Sequence, residues 1–364
     1  MIKSFTLLRS SGAILPHNYF TFLHKISQYS RFFHKYVIIQ RNGGVMFFEI
    51  FTRVLAIFLI IFLGAIARKN NFLTAETTSK ISLCVTNFFY PALIISSITS
   101  NFSAHSLLSH LVLPAGTIII MTAGYITGML FLNFLTFESD KQKNTFLFQS
   151  TINNYFFLPL PIIAMFFGDK GVAYLVFSSL GSEISVWTIG ILGLTGNQLG
   201  KKSLKNLISV PIISLILSIA IVFFKDSFVL SSLSNNKLLK TILTEISGSI
   251  EMFGKATVPL ALFTAGSRMS EFPIQKVKTQ KILWIVFLRL IFIPALSCAI
   301  LTFLRIEKEI FFVLATVAIM PSAIASIILS DTYNADIEFA SSSVLATHIV
   351  SLFTIPAWLT FLMR

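Results

Sequence analysis

Residues 151–168 read TINNYFFLPLPIIAMFFG, with Asn153 and Asn154, then Pro159 and Pro161, set inside an otherwise apolar run of membrane length. A proline in a helix interior removes one backbone donor and crowds the carbonyl four residues back, so this pair is expected to break the helix. In lipid a broken helix persists only where its freed backbone faces protein or a water-filled cavity. Interrupted membrane helices of this kind point to a solute-binding site near the midplane. The two asparagines add amide donors and acceptors where the backbone opens, so the stretch reads as half of such a site.

The rest of the chain supplies the membrane context. Apolar residues make up 55% of the 364 and charged residues 12%, with a mean hydropathy of +0.81. Repeated apolar stretches of about 20 residues are what a bilayer requires, so the chain reads as an all-α polytopic membrane protein. Cys84 and Cys298 both fall in expected spans, where small apolar packing is their ordinary role. The net charge of +13 is uneven: Lys3, Arg9, Lys25, Arg31, Lys35 and Arg41 crowd residues 1–45, and no acid precedes Glu49. That basic segment reads as a disordered extension, and translation is expected to begin at Met46.

Ten apolar segments follow, near 47–67, 80–99, 108–135, 145–167, 171–195, 207–224, 244–268, 281–304, 309–330 and 338–363. Lys and Arg number twelve in the loops after odd-numbered spans and six after even-numbered ones. Cytoplasmic loops carry the excess, which puts both termini outside, in the inner membrane if the host is bacterial. Ten spans divide into five plus five. Pro91 in Phe89–Ile94 has a counterpart in Pro259 of Thr257–Leu262, and the Pro161 break has one in Pro321, followed by Ser322 and Ser326. The separations are comparable, 161 − 91 = 70 and 321 − 259 = 62 residues. An odd number of spans per half makes the halves inverted repeats: 46–196 and 207–364, joined by the basic cytoplasmic linker 197–206. The expected fold is therefore ten transmembrane helices in two inverted five-helix repeats, with broken fourth and ninth helices crossing.

Two broken helices crossing at mid-membrane would aim half-helix N-termini, with their partial positive charge, at one point. Such a point suits an anion. Ionisable residues within spans are costly and invite a functional reading. Glu183, in SSLGSEISVWTIG, and His348, in VLATHIVSLFTIP, are the candidates for proton coupling, against the plainer reading of hydrogen-bonded packing residues. Arg289 and Lys255 need carboxylate or carbonyl partners and are candidates to neutralise a bound anion. The sequence contains no His-Glu-x-x-His and no Gly-x-Ser-x-Gly, and Gly196–Ser203 lacks the spacing of a phosphate loop. An enzyme is not expected, and no cofactor; energy must come from an ion or substrate gradient.

These residues carry a family likeness. The turn after Pro91, the stretch Asn154–Pro161 with Phe167 and Gly168, the Pro259 turn with Gly266, MPSAIASIILSDTYNAD at 320–336 and Thr354–Pro356 together resemble the auxin efflux carrier family, in its bacterial malate/malonate permease-like branch. The resemblance implies ten spans in inverted repeats and transport of organic anions. By position it implies that Asn154, Pro161, Pro321 and Ser322 lie in the crossover. Phe156 and Pro159 stand where bacterial relatives often carry glycine, and His348 replaces a small hydroxyl residue. The expectation is a secondary carrier of a small organic carboxylate, with Asn153, Asn154, Pro161, Pro321, Ser322 and Ser326 at the substrate and Glu183 and His348 at the coupling ion. The rival reading is a receptor that keeps the fold without moving its ligand. Expected partners are the anion, a proton or sodium ion and the lipid bilayer, with a homodimer as the candidate assembly and no nucleic acid.

Overall fold

The computed structural model of the chain describes residues 43–196, 208–225, 237–271 and 279–363. The linker 197–206 and residues 1–42 of the basic extension lie outside them. The described residues are helical, and their one β-type contact is a lone antiparallel bridge, Asn153 with Ser322.

In chain order the helices are α1 (Met46–Lys69), α2 (Ala75–Asn101), α3 (Ala104–Leu132), α4 (Asp140–Thr151), α5 (Pro159–Leu194), α6 (Val210–Lys225), α7 (Lys237–Lys255), α8 (Thr257–Met269), α9 (Gln280–Phe303), α10 (Lys308–Ala318), α11 (Ala325–Thr332) and α12 (Ile337–Leu362). Helices α1, α2, α3, α5, α9 and α12 are long and apolar enough to cross a membrane. The others coincide with expected segments that are shorter or interrupted: α4 ends ahead of a break, α7 and α8 meet at Ala256, and α10 and α11 flank the second break. As one straight rod, the 36 residues of α5 would reach well beyond a hydrocarbon core of about 30 Å. Gly168, at φ 57° and ψ −148°, divides it, a backbone conformation that side chains on L-residues resist.

The breaks lie at 152–158 and 319–324. The first therefore precedes its prolines: Pro159 opens α5 as its first residue and half-buried Pro161 sits in the same turn. Proline is well suited there because its missing N–H would lack a helical partner anyway. It is Ile152 and the two asparagines that end α4, since Asn side chains compete for backbone partners. Pro321 lies inside the second break and biases Met320 away from helical geometry. The apolar residues of the breaks are anchored in different core clusters. Phe156 packs with Tyr90 and Val317, Leu158 with Ile319 and Met320, and Ile152 with Met121 and Ala323.

Three single π-turns interrupt the long helices, at Val85–Phe89, Val186–Gly190 and Leu288–Phe292. Pro91 and Pro294 follow the first and third, and their missing donors explain the widened turns. The carbonyl that Pro294 cannot serve, Leu290 O, accepts instead from Trp358 Nε1 at 2.8 Å. Elsewhere backbones approach closely through small residues. A Cβ on Gly64 would collide with Phe263 O and one on Gly266 with Ile61 O, so α1 and α8 form a glycine-lined seam. Cys298 is buried, whereas Cys84 is exposed on the outer face of α2.

Candidate functional site

The two breaks cross and bond to each other. Asn154 N–H donates to Pro321 O at 2.8 Å, and Ala323 N–H donates to Ile152 O at 3.2 Å. Side chains then cap the ends of the half-helices reciprocally. Asn153 Nδ2 donates to Val317 O near the end of α10, while Ser322 Oγ donates to Gln149 O near the end of α4 at 3.2 Å. Gln149 Nε2 donates to Ser326 Oγ at 2.8 Å, and Thr347 Oγ1 accepts from Ser322 N–H at 3.3 Å. Asn153, Ser322, Ser326, Gln149 and Thr347 have no exposed surface, and Asn154 has 7%.

A helix leaves its last four carbonyls without helical donors, and in a dry interior each unpaired group is costly. Arg289 meets this need at both ends at once. Its two terminal nitrogens donate at 3.0 Å each to Ser150 O of α4 and Ala318 O of α10. The side chain is fully buried, its Nε has no hydrogen-bond partner, and among the described residues it joins no ion pair. It sits in the π-turn Leu288–Phe292.

His348 is buried beside the crossing. Its Nδ1 lies 2.8 Å from Val344 O and its Nε2 lies 3.4 Å from Asn154 Nδ2. Two such partners put the ring proton on Nδ1 and make Nε2 the acceptor. Asn154 Oδ1 in turn accepts from Leu158 N–H at 3.5 Å, so one amide spans His348 and the entry to α5. Glu183 is half-buried and faces the same region from the far part of α5. Its Oε1 accepts from Tyr155 Oη at 2.8 Å and its Oε2 from Trp187 Nε1 at 3.3 Å. Tyr155 belongs to the first break, so a single side chain ties the crossing to Glu183. A narrow crevice with room for about one water molecule opens there, partly to the outside, lined by Tyr90, Ser179, Glu183, Pro211 and Leu215 among others. Tyr90 Oη and Ser179 Oγ lie 3.1 Å apart, and the Tyr90 ring packs on Phe156 with centroids 4.2 Å apart.

Asn153, Asn154, Pro321, Ser322, Ser326 and His348 thus share one buried network, with Pro161 just beyond it in α5. Lys255 is elsewhere, exposed and paired with Glu251 at 2.6 Å, so it does not face the crossing. Arg289 binds backbone carbonyls rather than an open anion site. Gln149, Tyr155, Thr347 and Tyr90 are members of the network that sequence reasoning left out. Two unmatched helix ends plus one buried arginine was the available signal for Arg289. The hydroxyls carried no comparable sign. Among the described residues no cluster of three or more His, Cys, Asp and Glu gathers that could hold a metal ion.

A polytopic helical bundle whose broken helices meet in a buried polar crossing has the architecture of a membrane transporter, not of an enzyme. Residues 49–203 and 194–359 match the membrane transport protein family. The chain belongs to that family, the auxin efflux carrier family of transporters. It is similar to an uncharacterized transporter of Methanocaldococcus jannaschii, 26% identical over 308 residues, covering 84% of this chain and 96% of the relative. It is also similar to an uncharacterized transporter of Methanothermobacter thermautotrophicus, 26% identical over 312 residues with the same coverage.

Proposed function

We propose that this transporter is a secondary carrier that moves a small organic carboxylate by alternating access. The observation that carries the reading is electrostatic. Each helix end holds roughly half an elementary charge, positive at the N-terminus and negative at the C-terminus. Arg289 neutralises the C-terminal ends of α4 and α10, while the first turns of α5 and α11 contain no acid to offset their N-terminal ends. The field left at the crossing favours an anion. Asn153, Asn154, Ser322 and Ser326 contact the substrate in this reading, with Pro161 and Pro321 shaping the two arms. Glu183, through Tyr155, and His348, through Asn154, are the groups that link substrate to a proton.

The carrier is further proposed to have ten spans in two inverted five-helix repeats, 46–196 and 207–364, with both termini outside. The reciprocal capping of the breaks, Asn153 on α10 and Ser322 on α4, supports that symmetry.

Uptake of labelled mono- and dicarboxylates into proteoliposomes tests the reading. Saturable flux that Asn154→Ala lowers at least tenfold is the expected outcome. Absence of saturable flux with every carboxylate tried sinks it.

A further inference from the structure

We infer that Arg289 is a built-in counter-cation: its guanidinium occupies the place between the two half-helix C-terminal ends where a carrier of this architecture would otherwise bind a sodium ion.

Half-helix C-terminal ends and unwound carbonyls are what coordinate sodium in broken-helix carriers, because the carbonyls are unpaired and the dipoles converge there. Here both ends are already served by one side chain. Arg289 reaches Ser150 O and Ala318 O at 3.0 Å each, and the neighbouring carbonyls Gln149 O and Val317 O accept from Ser322 and Asn153. Two C-terminal ends of about half a negative charge apiece sum to about one. One guanidinium cancels that charge, and the absence of any ion pair to Arg289 among the described residues leaves the dipoles as its counter-charge. The planar fork of arginine suits two carbonyls on separate helices in a way a lysine ammonium does not. A resident positive charge also repels a second cation, and in a buried site that repulsion is strong. The crossing therefore carries no exchangeable metal cation. If the carrier reading holds, transport is driven by a proton or by the substrate's own gradient, not by sodium bound at the crossing.

The test needs no substrate. Thermal unfolding of the purified full-length protein is measured in sodium chloride and in choline chloride at equal ionic strength. Wild type is expected to unfold at the same temperature in both. Arg289→Gln is expected to lose roughly 10 °C and to regain part of that loss in sodium, or in millimolar methylguanidinium but not in equimolar urea. Arg289→Lys keeps a charge, so it is expected to be less stable yet still indifferent to sodium. Stabilisation of wild type or Arg289→Lys by sodium overturns the inference, as does a folded Arg289→Gln that neither cation stabilises. Should Arg289→Gln not fold, the wild-type and Arg289→Lys measurements still decide. A negative carboxylate uptake result leaves these readings unchanged, so the two ideas fail separately.

Discussion

The crossing of the two breaks and the cleft around Glu183 are neighbours joined by Tyr155, yet they are built on opposite terms. In the crossing, Asn153, Ser322, Ser326 and Arg289 are fully buried and bond mainly to carbonyls and hydroxyls of other helices. At the cleft, half-buried Glu183 is held by two aromatic side chains at the edge of a narrow crevice. Polar groups of the first kind hold the half-helices in register, because removing one strands a partner away from water. Those of the second kind are free to exchange partners with a solute or a proton. The difference separates residues that maintain the frame from residues that work within it.

Substitutions can break or sharpen that division. The largest effect is expected from Arg289→Ala, which strands two carbonyls and the dipoles of two helix ends. Each buried carbonyl left without its donor costs about 1–3 kcal/mol, and two are stranded, read as a fall in the unfolding temperature and in yield of folded protein. Next comes Asn153→Ala, which takes the side-chain donor from Val317 O. A cost of about 1–3 kcal/mol is expected, with a proportionate loss of thermal stability. Tyr155→Phe removes one hydroxyl from Glu183 and is expected to cost about 1 kcal/mol or less in stability. Its transport should fall more than its stability implies, with a shifted pH profile of flux. Trp187→Phe removes the longer, 3.3 Å contact and should do least, leaving unfolding within about 0.5 kcal/mol of wild type. If Tyr155→Phe unfolds as readily as Asn153→Ala, the division between frame and cleft disappears.

The sequence made the membrane character plain, because hydropathy and the scarcity of charge leave few alternatives for 364 residues. It also located both broken stretches, since Asn153–Asn154 and Pro321 interrupt apolar runs conspicuously. It misplaced the first break by several residues. Pro159 and Pro161 looked like helix breakers, but proline at the first position of a helix begins one, and here they start α5. Arg289 could be seen to need carboxylate or carbonyl partners, but not that these are carbonyls of α4 and α10, 139 and 29 residues away. Partners at that separation are set by tertiary packing, which no local pattern encodes. Tyr155 and Tyr90 were invisible for a simpler reason: an aromatic in an apolar run is ordinary core, and its hydroxyl becomes informative only when its partner is known.

The reciprocal capping also bears on how the protein is made. As α4 and the first break enter the bilayer, Gln149 O and Ser150 O have no donors within reach, because Ser322 and Arg289 have not yet been synthesised. The second arm meets the opposite case: Asn153 is already made when Val317 O arrives, and that carbonyl also accepts from Met320 N–H at 3.2 Å. The first arm cannot complete its hydrogen bonding in hydrocarbon until the second arrives, so it must linger near water, lipid headgroups or the insertion machinery. The crossing is then a late and all-or-none step of biogenesis, closed when the chain near residue 322 threads back against residue 153.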